Sequence, residues 1–277
     1  MASFWKLIEA FFKAVTWSSL SGIGNSRLAQ LTVLMPVIGY LVLFNSHISL
    51  WFDTVLTQRT ATETPGIWET LFENNLVYLY LGLLIFGLAV TLFNIAVPRQ
   101  IRRFPAIEDY IPSMVAIATK NVVIGSFLNV HQAFDGHLSE EEQSPMHGGQ
   151  SVAFPNDMQE SFFRLVDSTF RENIVVAEEH DSWDVSISDR YFTGSGYLRT
   201  DVVLQDMKSG TRPSLSFREL MLLGISKHPN DVFYLEHHML DNSQPMLRAL
   251  TFVMFAIGMI LTAFPTFLTT MIVLSSL

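Results

Sequence analysis

The amino-acid sequence predicts an integral membrane protein with three α-helical transmembrane spans, an N-terminal amphipathic helix and a cytoplasmic α+β domain with a small antiparallel sheet. Of the 277 residues, 49% are hydrophobic and only 16% are charged, whereas soluble domains carry about 25% charged residues. Three long stretches contain no charged residue. Between the second and third stretch, apolar and polar residues alternate, which is typical of a sheet with one face in water.

Each uncharged stretch is long enough to cross the hydrocarbon core of a bilayer, which takes about 20 apolar helical residues. The predicted spans are Leu28 to Phe52, Leu76 to Val97 and Ala249 to Leu274. They leave a leading segment (1–27), an outer loop (53–75) and a large domain (98–248).

Basic residues beside the spans predict the orientation, because Lys and Arg resist translocation. Three precede the first span and three follow the second: Lys6, Lys13 and Arg27, and then Arg99, Arg102 and Arg103. The outer loop has a single base, Arg59, among acidic residues. These positions predict a multi-pass cell-membrane protein with its N-terminus and residues 98–248 in the cytoplasm and its C-terminus outside.

The leading segment has the spacing of an amphipathic helix. Aromatic and aliphatic side chains recur at helical intervals at Phe4, Ile8, Phe11, Phe12 and Val15. This pattern suits a helix lying in the headgroup region, and packing on the protein's own spans or cytoplasmic domain is the alternative. Residues 18–26, rich in Ser and Gly, predict a turn leading to the first span.

The domain at residues 98–248 is acidic, with 13 Lys and Arg against 21 Asp and Glu. It therefore holds nearly all of the net charge of −9. This balance argues against nucleic-acid binding, which needs clustered basic residues. Besides the lipid bilayer, we expect the partner to be a cytosolic protein that binds this acidic domain.

Periodicity predicts helices and strands within the domain. Helices are expected at Ile107 to Thr119, at Met158 to Phe170 and from Pro229 to Leu240, and another after a capping box at Ser216 and Glu219. Residues 122–130 fit a helix or a strand, and residues 132–156 predict a surface loop. Strands are expected at Ile174 to Val176, Trp183 to Ser188 and Leu198 to Leu204, with a turn at Gly194 to Gly196.

The sequence patterns indicate no catalytic, cofactor-binding or metal-ligating residue. The absence of cysteine excludes a thiol nucleophile and Cys-ligated metals. His237 and His238 are adjacent, so on a helix they point about 100° apart and chelate one ion poorly. Glu140 to Glu142 is interpreted as a solvated run. Ser195 lies in Gly-Ser-Gly, which is more typical of a turn than of a nucleophile elbow.

Small residues recur along two spans. Gly258, Thr262, Thr266 and Thr270 repeat every fourth residue in the third span, and Gly82, Gly87, Ala89 and Thr91 lie in the second. Such stripes permit close helix packing, either within the chain or in the homo-oligomer that we expect. The spans hold no Asp, Glu, Lys or Arg, the residues that proton relays and ion-coupled transporters commonly use, which argues against a pump.

The leading hypothesis for function is a non-enzymatic membrane-anchored sensor, scaffold or effector. Its cytoplasmic domain would bind a protein or small ligand and couple it, in signalling, to an oligomeric membrane region. One alternative is an oligomeric channel-like protein. Another is a membrane-bound metal-dependent hydrolase that uses His180, His237 or His238 with nearby carboxylates. No cofactor is expected under the leading hypothesis.

Overall fold

The structure is a computed structural model that describes residues 15–34, 75–143, 155–175, 190–209 and 214–275. The described residues fall into two compact units. The helical unit comprises those between Pro98 and Ser243, and the apolar unit comprises those before Pro98 and after Ser243.

Both units are built from helices. The apolar unit contains α1 (Trp17–Gly24), α2 (Arg27–Thr32), α3 (Asn75–Ala96) and α11 (Pro245–Ser275). The helical unit contains α4 (Arg99–Arg103), α5 (Ile107–Ile117), α6 (Lys120–Gln143), α7 (Asn156–Phe170), α8 (Thr200–Ser209), α9 (Ser214–Ile225) and α10 (Pro229–Asp241). A π-helical turn, Arg171–Val175, follows α7 directly.

In the apolar unit, α3 packs along α11 through glycines. A Cβ atom on Gly82 would lie 2.8 Å from the backbone nitrogen of Thr262, and one on Gly258 would lie 2.9 Å from the Cβ of Phe86. Gly87 faces the backbone of α2 at Thr32 in the same way. Real side chains do not approach so closely, so these contacts require glycine. These three glycines therefore have packing partners within the chain.

The core of the helical unit is rich in aromatic rings. Phe127 stacks on Phe162 with ring centroids 5.8 Å apart, and Tyr191 stacks on Phe217 at 5.2 Å. The predicted apolar face of α7 is confirmed, since its five members are buried: Met158, Phe162, Leu165, Val166 and Phe170. The predicted start of α10 at Pro229 is also confirmed, because proline's fixed φ suits the first helical turn.

The predicted α+β domain is wrong, because the described residues contain no β-strand and only one isolated bridge, between Phe192 and Leu198. Most of the expected strand at Leu198 to Leu204 lies in α8 instead. There Val203, Leu204 and Met207 are buried, and their spacing forms one helical face, so tertiary burial overrides β-propensity. Ile174 lies in the π-helical turn, and residues 183–188 lie outside the described residues.

The predicted three-span architecture is also wrong. Two helical segments among the described residues are long and apolar enough to cross a membrane, Tyr78–Ala96 and Pro245–Pro265. The start of the expected first span forms the six-residue helix α2, which ends at Thr32. Residues 35–52 of that expected span, and residues 1–14 of the expected amphipathic helix, lie outside the described residues.

Three local predictions also change. The Ser- and Gly-rich segment expected to turn forms α1, since the Thr16 side chain caps its first turn and Trp17 is buried. The expected loop after residue 132 is helical to Gln143 because buried Phe134 extends the apolar face of α6; residues 144–154 are not described. Ser216 lies inside α9 rather than at its N-cap.

Candidate functional site

The two long apolar helices leave much of their surface uncovered. In an 18-residue apolar stretch of each candidate segment, only 28% of the residues are buried. The exposed large apolar side chains include Leu79, Leu81, Leu88 and Ile95 on α3, and Leu250, Val253, Ile257, Met259, Ile260, Phe264, Phe267 and Leu274 on α11. The core helix of a soluble protein would bury most of these residues. This surface is therefore better suited to contact with an apolar environment, such as lipid acyl chains, than with water.

Polar side chains on these helices bond to their own backbone. Thr91 Oγ1 donates to the carbonyl of Gly87 at 2.9 Å, and Asn94 Nδ2 donates to that of Val90 at 2.9 Å. On α11, Thr262 Oγ1 donates to the Gly258 carbonyl at 2.6 Å. The hydrocarbon core of a bilayer contains no water, so polar groups there must form their hydrogen bonds within the protein.

In the helical unit, α5 and α10 bring together a buried polar cluster, defined here as Tyr110, Glu236 and His237. The Tyr110 hydroxyl donates to Glu236 Oε2 at 2.9 Å, and the rings of Tyr110 and His237 are 5.1 Å apart. All three residues are buried. His237 Nε2 lies 3.3 Å from the carbonyl oxygen of Phe104, which can only accept, so Nε2 carries the proton.

Burial sets the protonation of this cluster. It raises the pKa of Tyr110 far above its ordinary value, and the charge of Glu236 raises it further. Burial lowers the pKa of His237, against the opposing effects of its hydrogen bond to Phe104 and of the Asp241 carboxylate. Tyr110 therefore keeps its proton at neutral pH and His237 is uncharged. The cluster stabilises the contact between α5 and α10, and it contains the His237 imidazole, whose charge depends on pH.

Two surface grooves in the helical unit are lined by other residues. The first, about 420 Å³, has the aromatic walls Phe134 and Phe163 and the carboxylates Asp135 and Asp201. The second, about 310 Å³, includes Arg164, His228, Asp231 and Tyr234. Their volumes lie at the lower end of the range for small-molecule sites.

The structure does not assemble the predicted candidates into a catalytic or metal centre among the described residues. His237 and His238 have ring centroids 6.3 Å apart, and the described chain holds no group of three His, Cys, Asp or Glu that could hold a metal ion. Ser195 lies in the turn before Gly196, whose φ is 82°. Glu140 to Glu142 belongs to the end of α6, and His180 lies outside the described residues.

Sequence reasoning missed Tyr110 and Glu236. The available signal was a carboxylate on an apolar helix face, since Glu236 follows the buried Val232 by four residues. Its partner could not be inferred, because Tyr110 lies 126 positions away.

No protein-family model, curated protein or solved structure matches this chain.

Proposed function

We propose that this chain is an integral membrane protein in which α3 and α11 cross the bilayer and the helical unit is a domain carried between them. The single observation that supports this most strongly is the exposure of apolar side chains along two long helices, in each of which only 28% of the residues of an 18-residue apolar stretch are buried. Water is a poor surrounding for such a surface, whereas lipid acyl chains match it.

Flanking charges favour a cytoplasmic location for the helical unit. Arg99, Arg102 and Arg103 follow α3 within seven residues, and Lys and Arg near span ends remain on the cytoplasmic side. Arg248 lies near the start of α11, and no basic residue follows it between Ala249 and Leu277. In both helices the positive charge therefore lies at the end that joins the helical unit.

We propose further that the helical unit acts as a non-enzymatic sensor, scaffold or effector domain. Its acidic surface and small grooves suit a basic region of a cytosolic protein or a small ligand. The chain enters the unit from α3 and leaves it into α11. A ligand that shifts the conformation of the unit would therefore act on both spans.

Membrane insertion can be tested by single-cysteine labelling, because the natural chain contains no cysteine. Ile260→Cys on α11 and Ile117→Cys on α5 are matched, since these isoleucines are 66% and 69% exposed. With a membrane-impermeant maleimide and inverted vesicles, we expect Ile117→Cys to react and Ile260→Cys to react only after denaturation. The unsubstituted chain supplies the background.

Equal labelling of the two variants in intact vesicles would reject membrane insertion of α11. Labelling of Ile117→Cys in right-side-out vesicles rather than inverted ones would place the helical unit outside and reject the proposed orientation.

The partner role needs a separate test. Exposed carboxylates Asp157, Glu160 and Asp201 can be changed to their amides in the full chain, with Asp109→Asn and Glu108→Gln as a control on α5. Loss of a reproducible cytosolic partner or ligand from the first variant alone would support the proposal. Identical binding by all variants would reject the acidic surface as the contact.

A further inference from the structure

We propose that α4 carries a binding face for the headgroups of anionic phospholipids, formed by Arg99, Arg102 and Arg103. These residues stand at positions i, i+3 and i+4, so they share one side of the helix. Ile101 points to the opposite side and is buried. Burial of Ile101 therefore anchors α4 to the protein, while the three arginines on the other side form an exposed basic face. This inference rests on the proposed insertion of α3.

The arginine side chains of this basic face are exposed. The Arg103 guanidinium lies 5.1 Å from the centroid of the Phe104 ring, an arrangement that leaves its edge N–H groups able to bind an anion. Among the described residues, neither Arg99 nor Arg103 forms an ion pair. The planar guanidinium of arginine can donate two parallel hydrogen bonds to two oxygens of one phosphodiester group. Arginine therefore recognises phosphate by geometry as well as by charge.

The position of the basic face along the chain selects a lipid as the source of the phosphate. Helix α3 ends at Ala96, and α4 begins three residues later at Arg99. Three residues span at most about 10 Å, which is comparable to the depth of the headgroup layer beside the hydrocarbon core. A span ending at Ala96 therefore delivers Arg99 to the layer where lipid phosphates are held.

The charge of the remaining domain makes the basic face distinctive. Residues 98–248 contain 21 acidic and 13 basic residues, so most of this domain is repelled by an anionic leaflet. No acidic residue occurs between Val97 and Ile107. Attraction is therefore concentrated where the chain emerges from α3, and each arginine is expected to contribute about fivefold to the preference for anionic lipid.

The test uses the full chain in nanodiscs of equal phosphatidylcholine and phosphatidylglycerol with matched acyl chains. Native mass spectrometry measures which lipids stay bound after release. We expect the natural chain to retain phosphatidylglycerol at least tenfold over phosphatidylcholine, and the triple variant R99Q/R102Q/R103Q to retain both equally. The matched control K120Q/R164Q/R199Q removes three other exposed basic residues and should behave like the natural chain.

Two further arms complete the test. R99K/R102K/R103K keeps the charge and should retain part of the preference, which separates headgroup binding from loss of fold. Inorganic phosphate at millimolar concentration should leave the retained lipid unchanged.

The proposal is overturned if the triple Gln variant keeps the preference, if the control loses it equally, or if inorganic phosphate displaces the lipid. Failure of the chain to insert into nanodiscs would instead overturn the proposed membrane location, which the cysteine labelling measures independently.

Discussion

The hydroxyl of Tyr110 in α5 donates a hydrogen bond of 2.9 Å to the Glu236 carboxylate in α10, and both residues are buried. The two residues are 126 positions apart, so this bond ties distant parts of the helical unit together. A buried carboxylate is costly without a donor, which makes the Tyr110 hydroxyl important for stability.

Tyr110→Phe should lower the free energy of unfolding by about 1–3 kcal/mol, because it leaves the Glu236 carboxylate buried without this donor. Thermal unfolding of the full chain in detergent measures the change. Tyr197→Phe is the control, since the Tyr197 side chain is 74% exposed. Equal melting temperatures for the two variants would show that the buried bond contributes nothing to stability.

Stability should fall as the pH is lowered below about 6.5, the ordinary pKa of histidine. Burial lowers the pKa of His237 in the folded chain, so between the folded and unfolded pKa values the unfolded chain binds more protons. Above the unfolded pKa, both states are neutral and the effect vanishes. The measurement is the melting temperature from pH 7.5 down to 5.5.

His237→Gln should flatten this pH dependence while keeping a side-chain N–H donor for the Phe104 carbonyl. His238→Gln, which changes the neighbouring and more exposed ring, should keep most of the dependence, because the charge of His238 is the smallest of the effects that act on the pKa of His237. A slope unchanged by His237→Gln would contradict the assignment of the titration to this buried imidazole.

Gly258→Ala should destabilise the packing of α3 on α11, because the new Cβ would lie 2.9 Å from both the Cβ and the backbone nitrogen of Phe86. The cost should be about 1–3 kcal/mol, as for other overpacked sites. Gly125→Ala in α6 meets nothing within 4 Å, so it should be neutral or stabilising by up to about 1 kcal/mol. Melting temperatures that move in the same direction would refute the close approach.

Asp206→Asn should lower the free energy of unfolding more than Asp167→Asn does, although both carboxylates bind an arginine. Asp206 accepts from Arg190, with Nη2 to Oδ2 at 2.7 Å, and from the Tyr191 hydroxyl at 2.9 Å. Its side chain is 14% exposed, against 37% for Asp167 paired with Arg171. We expect a loss of about 1–2 kcal/mol for Asp206→Asn and of about 0.3–0.5 kcal/mol for Asp167→Asn.

Chemical denaturation of the two variants checks this difference. The same variants allow a second check, because burial and Asp206 raise the pKa of Tyr191 to about 12. Ultraviolet titration should show one tyrosine ionising earlier in Asp206→Asn and no such change in Asp167→Asn. Equal losses of stability in Asp206→Asn and Asp167→Asn would indicate that the hydrogen bond from Tyr191 to Asp206 adds nothing to the ion pair between Asp206 and Arg190.

Local patterns in the sequence were enough to find several helices. The apolar face of α7, the start of α10 at Pro229 and the uncharged length of α3 are properties of neighbouring residues, which periodicity and proline geometry report directly. The candidate site was less accessible. Glu236 could be noticed on an apolar face, but its partner could not.

The sequence by itself determined where the uncharged stretches of α3 and α11 and the acidic residues lie, because composition and spacing are carried by consecutive residues. Only the tertiary structure decided that Val203 and Leu204 belong to a helix, that Tyr110 meets Glu236, and that Gly258 packs against Phe86. These outcomes depend on which distant side chains share a buried environment. That burial outweighs local β-propensity and can pair a carboxylate with a donor far along the chain.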